Sequence, residues 1–146
     1  MRPVHLVLSV AAAVSLLGCG GGGGATSAPS AASSSGGTQV AAEEKEFSIG
    51  LDKTSVPSGN TTFNIRNTGT VVHEFVVVDT DTAAGELPQA NGEVDEDQLQ
   101  VVDEVEDLAV NATSSLTVNL ASGHYAIICN VPGHYAGGMH VDLTVQ

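Results

Sequence analysis

Between Glu46 and Val145, apolar residues recur at alternate positions in short runs separated by turn formers. That is the period-two pattern of half-buried strands. It predicts strands at Glu46–Leu51, at Thr61–Asn67 with Phe63 and Ile65 on one face, and at Val71–Asp79. Further strands are predicted at Ser115–Leu120 through Leu116, Val118 and Leu120, at Tyr125–Cys129 and at Met139–Val145. Ser55–Asn60 and Thr68-Gly69 read as turns. Thr80–Asp97 has no clear period and contains Pro88 and two glycines, so a long loop with a short helix is expected there. Val101–Val110 is mixed, and only its tail, Leu108–Val110, is expected to pair as an edge. No internal repeat and no long amphipathic helix interrupts this pattern. The expected fold is all-β, a Greek-key β-sandwich of about seven to eight strands. About 100 ordered residues give it enough core to fold alone.

The first forty residues follow another rule. Arg2 and the apolar run Leu6–Leu17 have the form of a signal segment, too short to span a bilayer. Leu16-Leu17-Gly18-Cys19 resembles a bacterial lipobox, which implies removal of residues 1–18 and lipidation of Cys19. Acyl chains would anchor the product at about 0.8 kcal/mol per buried CH₂, with no transmembrane helix. Residues 20–42 are dominated by Gly, Ala and Ser and open with the glycine run Gly20–Gly24. Such a segment buries too little apolar surface to offset its ordering entropy. It reads as a flexible linker of about 25 Å root-mean-square span. Three parts are therefore expected: a signal peptide at 1–18, a lipidated linker at 19–42 and a folded domain at 43–146.

Charge narrows the function classes. The formal charge is −13, and loss of Arg2 with the signal makes it −14, with Lys45, Lys53 and Arg66 the remaining strong cations. Nucleic-acid binding is excluded as a reading, because phosphate contacts need a basic surface. Eight carboxylates lie between Glu93 and Asp107. They read as a solvated face or as a docking surface for a basic redox partner. They do not have EF-hand spacing. The sequons at Asn60 and Asn111 are treated as chance beside a bacterial lipobox.

The candidate chemistry is concentrated in one stretch. Cys129, His134 and Met139 follow one another with four residues between each pair, and His73 supplies a second imidazole from far upstream. With Cys19 lipidated, Cys129 is the only thiol left in an exported protein, a position that suits metal coordination. One Cys, two His and a weak axial Met are the ligand set of a blue-copper electron-transfer site.

Residues Cys129–Met139 resemble the C-terminal ligand loop of the cupredoxins, the small blue copper proteins that include plastocyanin and azurin. Pro132-Gly133 before the His, and the loop spacing, resemble the rusticyanin and sulfocyanin branches. Asn67–Phe75 resembles the segment bearing the first His, and Gly123–Ile128 the strand that leads into the Cys. Many cupredoxins carry Asn directly after the first His; here Glu74 stands in that place.

The resemblance implies one copper ion per chain, held by His73, Cys129, His134 and Met139. It further implies that His134 lies near the surface in an apolar patch, for which Val131, Pro132 and Tyr135 are candidates. Backbone N–H groups are expected to point at the Cys129 sulfur. His124 is about 16 Å from Cys129 along an extended strand, and His140 points opposite to Met139, so both are expected at the surface.

The leading reading is a monomeric, membrane-tethered electron carrier of the bacterial cell envelope. It is not an enzyme. The alternative is a copper chaperone or storage lipoprotein, a class that usually exposes Met or Cys clusters. A dinuclear oxidase site would need a second loop Cys, and a multicopper oxidase paired His-x-His motifs; the sequence has neither. A metal-free interaction domain would be indifferent to loss of Cys129.

Overall fold

The computed structural model describes residues 37–146; the signal segment, Cys19 and residues 20–36 of the linker lie outside the described residues. The strands are β1 (Thr38–Lys45), β2 (Ser48–Leu51), β3 (Ser55–Val56), β4 (Gly59–Asn67), β5 (His73–Asp79), β6 (Gln89–Ala90), β7 (Glu93–Val94), β8 (Gln100–Leu108), β9 (Thr113–Leu120), β10 (Gly123–Ile128) and β11 (His140–Val145). One sheet has the order β2-β1-β4-β9 and the other β3-β11-β10-β5-β8, while β6 and β7 form a small separate hairpin. β1 runs parallel to β4, and β3 parallel to β11; the other pairings are antiparallel. The architecture is the expected β-sandwich. Among the described residues, no helix is long and apolar enough to cross a membrane.

Alternation builds the core between the sheets. In β4, Thr61, Phe63, Ile65 and Asn67 point inward while Asn60, Asn64 and Arg66 are exposed. β9 presents Leu116, Val118 and Leu120 from the same sheet, and Phe75, Val77, Ile127 and Leu143 face them from the other. Phe63 and Phe75 meet across the gap with ring centroids 5.2 Å apart. Burial of each such side chain contributes about 1.5–3 kcal/mol.

The second sheet is covered on both faces, which explains a run that does not alternate. Val76, Val77 and Val78 are all buried. Val77 faces the sandwich core, whereas Val76 and Val78 join Ala84, Leu87, Val94, Ala126, Ile128 and Tyr135 in a second cluster. The chain between β5 and β8 supplies that outer cover, with 3-10 turns at Ala84–Glu86 and Glu96–Gln98 flanking the β6–β7 hairpin.

Three expectations are corrected. The linker does not extend to residue 42, because β1 begins at Thr38. The strand expected at Glu46–Leu51 is interrupted by a turn at Glu46–Phe47 and restarts at Ser48. Ala41 and Ala42 carry too weak a hydrophobic signal to announce β1, whose strand character comes from pairing with residues 61–67 of β4. The third correction is β8, a nine-residue edge strand where only its tail was expected to pair. Its carboxylates line an open edge, where charge suits solvent and discourages further strand addition.

Candidate metal centre

His73 stands at the first position of β5, and Cys129 directly follows β10. These neighbouring strands pair in register from Val76↔Ile128 to Asp79↔Tyr125, which brings the imidazole and the thiol to the same end of the sheet. The loop from Cys129 to Met139 then folds back on itself. His134 N–H donates to Val131 O, Gly137 N–H to Gly133 O, and Met139 N–H to His134 O. Gly133 and Gly138 have φ of 81° and 109°, a region in which a side chain is strained. Cys129 N–H closes the loop on Met139 O at 3.0 Å.

This folding brings together three donor atoms. His73 Nδ1 and His134 Nδ1 are 3.2 Å apart, and Cys129 Sγ is 3.8 Å from the first and 3.4 Å from the second. A point equidistant from the corners of that triangle lies about 2.0 Å from each, close to the bonds of about 2.0–2.3 Å that a zinc-sized ion makes to nitrogen and sulfur. All three residues are buried, His134 at 9% exposure and the other two at 0%. Met139 is buried in the same core cluster as Cys129. A soft thiolate, two imidazoles and a thioether are donors that suit copper in either oxidation state.

The surroundings tune each group. Glu74 N–H donates to Cys129 Sγ at 3.3 Å, the expected backbone contact to the sulfur. Burial pushes the Cys129 thiol up to about 11, while the N–H groups of Glu74 and Val131 pull the other way. Burial also lowers His73 below the ordinary imidazole value, and His134 beside it adds to that effect. A neutral imidazole is the form that binds metal.

A second set of contacts ties the loop to the outer cover of the sheet. Asn130 accepts from Val94 N–H at 2.7 Å and donates to Val94 O and to Glu96 Oε1. Tyr135 O–H accepts from Leu87 N–H and donates to Ala84 O. Thus Asn130 braces the Cys loop from within it.

Several site expectations change. Tyr135 is not at the surface; it is 2% exposed and packed in the second cluster. Pro132 is exposed and Val131 half-buried. The exposed apolar residues at this end are instead Phe47, Val71 and Val72, at 51%, 43% and 37% exposure. Phe47 meets the His134 ring edge-on at 5.6 Å. His124 points away to Asp142 and Thr80 O. His140 is half-buried against Tyr135 at 5.2 Å, and His124 is half-buried as well, where both were expected at the surface. Neither belongs to the cluster of possible ligands.

Two carboxylates near the site carry no local sequence signature of a role there. Glu44 is completely buried, and neither carboxylate oxygen has a hydrogen-bond partner. Burial, with a smaller push from Glu74, raises it to about 8. Glu46 Oε1 accepts from Thr70 N–H at 2.5 Å, Val71 N–H at 2.9 Å and Thr70 Oγ1 at 3.3 Å. Those hydrogen bonds hold it down at about 2. The one hint of Glu44 is the alternation Val40, Ala42, Glu44 along β1.

A two-sheet sandwich with this donor cluster at one end makes the protein a cupredoxin. Residues 31–146 match the family model of the sulfocyanin (SoxE) domain. The chain belongs to the sulfocyanin family. Among solved structures, reduced auracyanin from Roseiflexus castenholzii aligns with a TM-score of 0.57 at 25% identity, over 76% of this chain and 99% of that one. Auracyanin A, a "blue" copper protein from Chloroflexus aurantiacus, gives 0.56 at 25% identity, over 76% and 100%. Reduced rusticyanin shares the fold at a TM-score of 0.60 and 22% identity, over 77% of this chain and 81% of that one. Comparison with curated proteins finds no significant match. Cupredoxin relatives bind one copper ion, and the donor set here fits that ion.

Proposed function

We propose that this protein is a mononuclear blue copper electron carrier, tethered to a bacterial envelope membrane, and not an enzyme. In this reading His73, Cys129 and His134 would hold the copper ion, with the Met139 thioether as a weaker fourth ligand. Bound copper would supply one-electron exchange between Cu(II) and Cu(I). The observation that carries the reading is the convergence of three buried donor atoms within 4.8 Å of one another. Those donors come from two paired strands and one tightly bonded loop, a stiff frame that would limit rearrangement when the bound ion changes oxidation state.

His134 is the route for electrons, since its ring approaches the surface beneath Phe47. The neighbouring apolar residues Val71 and Val72 allow close approach of a partner. Burial raises Glu74 above the ordinary carboxylate value, and repulsion from Glu96 and from Glu104, Glu106 and Asp107 of β8 adds to it. These carboxylates would steer a basic redox partner toward the same end and make the encounter salt-dependent. The tether rests on the sequence at Leu16–Cys19 and on the linker that follows.

The test is an optical titration of the purified protein with Cu(II). One equivalent should give an intense blue or green thiolate-to-copper band that bleaches on reduction and returns on oxidation. A colourless product that only traps Cu(I) would instead favour a copper-handling protein. Mass measurement of the native N-terminus tests the tether, with a diacylated Cys19 expected.

A further inference from the structure

The turn between β1 and β2 carries none of the expected ligands, yet it touches both histidines. Phe47 lies against His134, and Glu46 lies against His73. The two His73 nitrogens have very different surroundings. Nδ1 faces Cys129 and His134, whereas Nε2 is buried and has no hydrogen-bond partner. If Nδ1 is to offer a lone pair to a metal, Nε2 must carry the proton. A buried N–H of this kind calls for an acceptor. Glu46 Oε1 stands 3.7 Å from it, a distance for an ion pair rather than a hydrogen bond.

The carboxylate does not depend on His73 for its position. Thr70 and Val71 fix it through the segment that delivers His73 to the site. Among the described residues, Glu46 forms no ion pair with a lysine or arginine, so its charge is not cancelled locally. Gly69 completes the arrangement. A Cβ at that residue would lie 2.7 Å from both Glu46 Oε1 and His73 Nε2, so glycine lets the backbone close over the pair.

We propose that Glu46 is a positioning residue of the copper centre: its carboxylate locks the loop that presents His73, selects the Nε2–H tautomer and lowers the reduction potential. The proposal rests on the copper reading above, in which His73 is a ligand. A negative charge beside the imidazole stabilises the more positive ion, so it favours Cu(II) over Cu(I). The same anion holds the proton on the nitrogen that faces away from the metal. Glu46 touches no reacting atom; it acts through His73.

The test separates charge from shape. Glu46→Gln keeps an oxygen for the Thr70 and Val71 N–H groups but removes the charge. In the copper-loaded protein it should retain the thiolate-to-copper band. Its ratio of Cu(II) to Cu(I) affinity should fall about tenfold, a rise in potential of about 59 mV for one electron. Glu43→Gln, an exposed neighbour on β1, is the control and should shift the ratio far less.

In the metal-free protein, long-range ¹H–¹⁵N spectra should show His73 as the Nε2–H tautomer, and Glu46→Ala should bring in the Nδ1–H form. Gly69→Ala, which wedges a methyl group between the pair, should move both readouts in the same directions. It serves if Glu46→Ala does not fold. A Glu46→Gln potential no further from wild type than the control overturns the proposal. So does an Nε2–H tautomer unchanged in the Glu46→Ala or Gly69→Ala protein. A protein that takes up no copper counts against the copper reading, and the tautomer of the metal-free protein then decides this one.

Discussion

The loop Cys129–Met139 and the β1–β2 corner, from Glu44 at the end of β1 through the turn at Glu46–Phe47, lie at the same end of the sandwich and are built in opposite ways. The loop supplies three expected copper ligands, folds on its own backbone hydrogen bonds and is braced by Asn130 and Tyr135. The corner supplies no expected ligand, but it places a buried acid, a bonded carboxylate and an exposed phenyl ring around the same centre. The contrast separates two tasks. One region presents the donors, and the other sets the charge and the solvent access around them.

The largest effect is expected from Cys129→Ser. Loss of the thiolate should abolish the visible charge-transfer band and reversible redox chemistry, while the sandwich still unfolds cooperatively. Copper titration followed by absorbance and voltammetry checks both halves. A persistent blue band would remove Cys129 from the metal centre.

Next in size is Glu44→Gln. In the folded chain Glu44 keeps its proton to about pH 8, against an ordinary value of 4.5. The unfolded chain has lost that proton over most of the interval, so the folded state binds more protons and stability falls as pH rises from about 4.5 to about 8. Each pH unit crossed in that interval costs about 1.4 kcal/mol, so the whole fall is at most about 5 kcal/mol. Glu44→Gln should flatten that slope. Urea unfolding of the metal-free protein at pH 5 and pH 8 measures it, and equal slopes in both proteins would show that Glu44 ionises as freely as a surface acid.

Asn130→Ala probes the brace of the loop itself. It leaves Val94 N–H and C=O without their buried partner, at a cost of about 1–3 kcal/mol in stability. The visible band should weaken or shift as the loop loosens, which spectra taken with the unfolding curves will show. The smallest effect on stability is expected for Phe47→Ala, below about 1 kcal/mol, because the ring is half exposed. Electron self-exchange should nevertheless change, since that ring covers the edge of His134. Exchange broadening by NMR, compared with wild type, is the readout; an unchanged rate would take Phe47 out of the electron route.

The same contrast explains what could be read from the chain alone. The meeting of Cys129 and His134 with His73 was legible because metal coordination restricts residue type and a short loop restricts spacing. The strands carrying Phe63, Ile65, Leu116, Val118 and Leu120 were legible because one face of each meets the core. Phe47 and Glu46 carried no such signature. Their importance comes from a turn that meets segments 24 to 90 residues away, and no local pattern encodes such a meeting. β1 was hidden for a related reason, since its strand character comes from a parallel partner and its inward positions include Ala42 and Glu44. Tyr135 misled because an aromatic next to a near-surface His suggests a surface patch, whereas its hydroxyl is used to pin residues 84–87.

The direction of β1 has a consequence for how the molecule meets its surroundings. The strand begins at Thr38, where residues 1–36 join the described domain through Gly37, and it ends beside the turn that touches His73 and His134. Eight residues of extended chain, at about 3.3 Å each, put roughly 25 Å between these two poles. Under the proposed tether, an anchor joined at one pole leaves the other free to face outward. Whichever membrane then holds the N-terminus, the point of attachment to the domain does not cover the candidate metal centre.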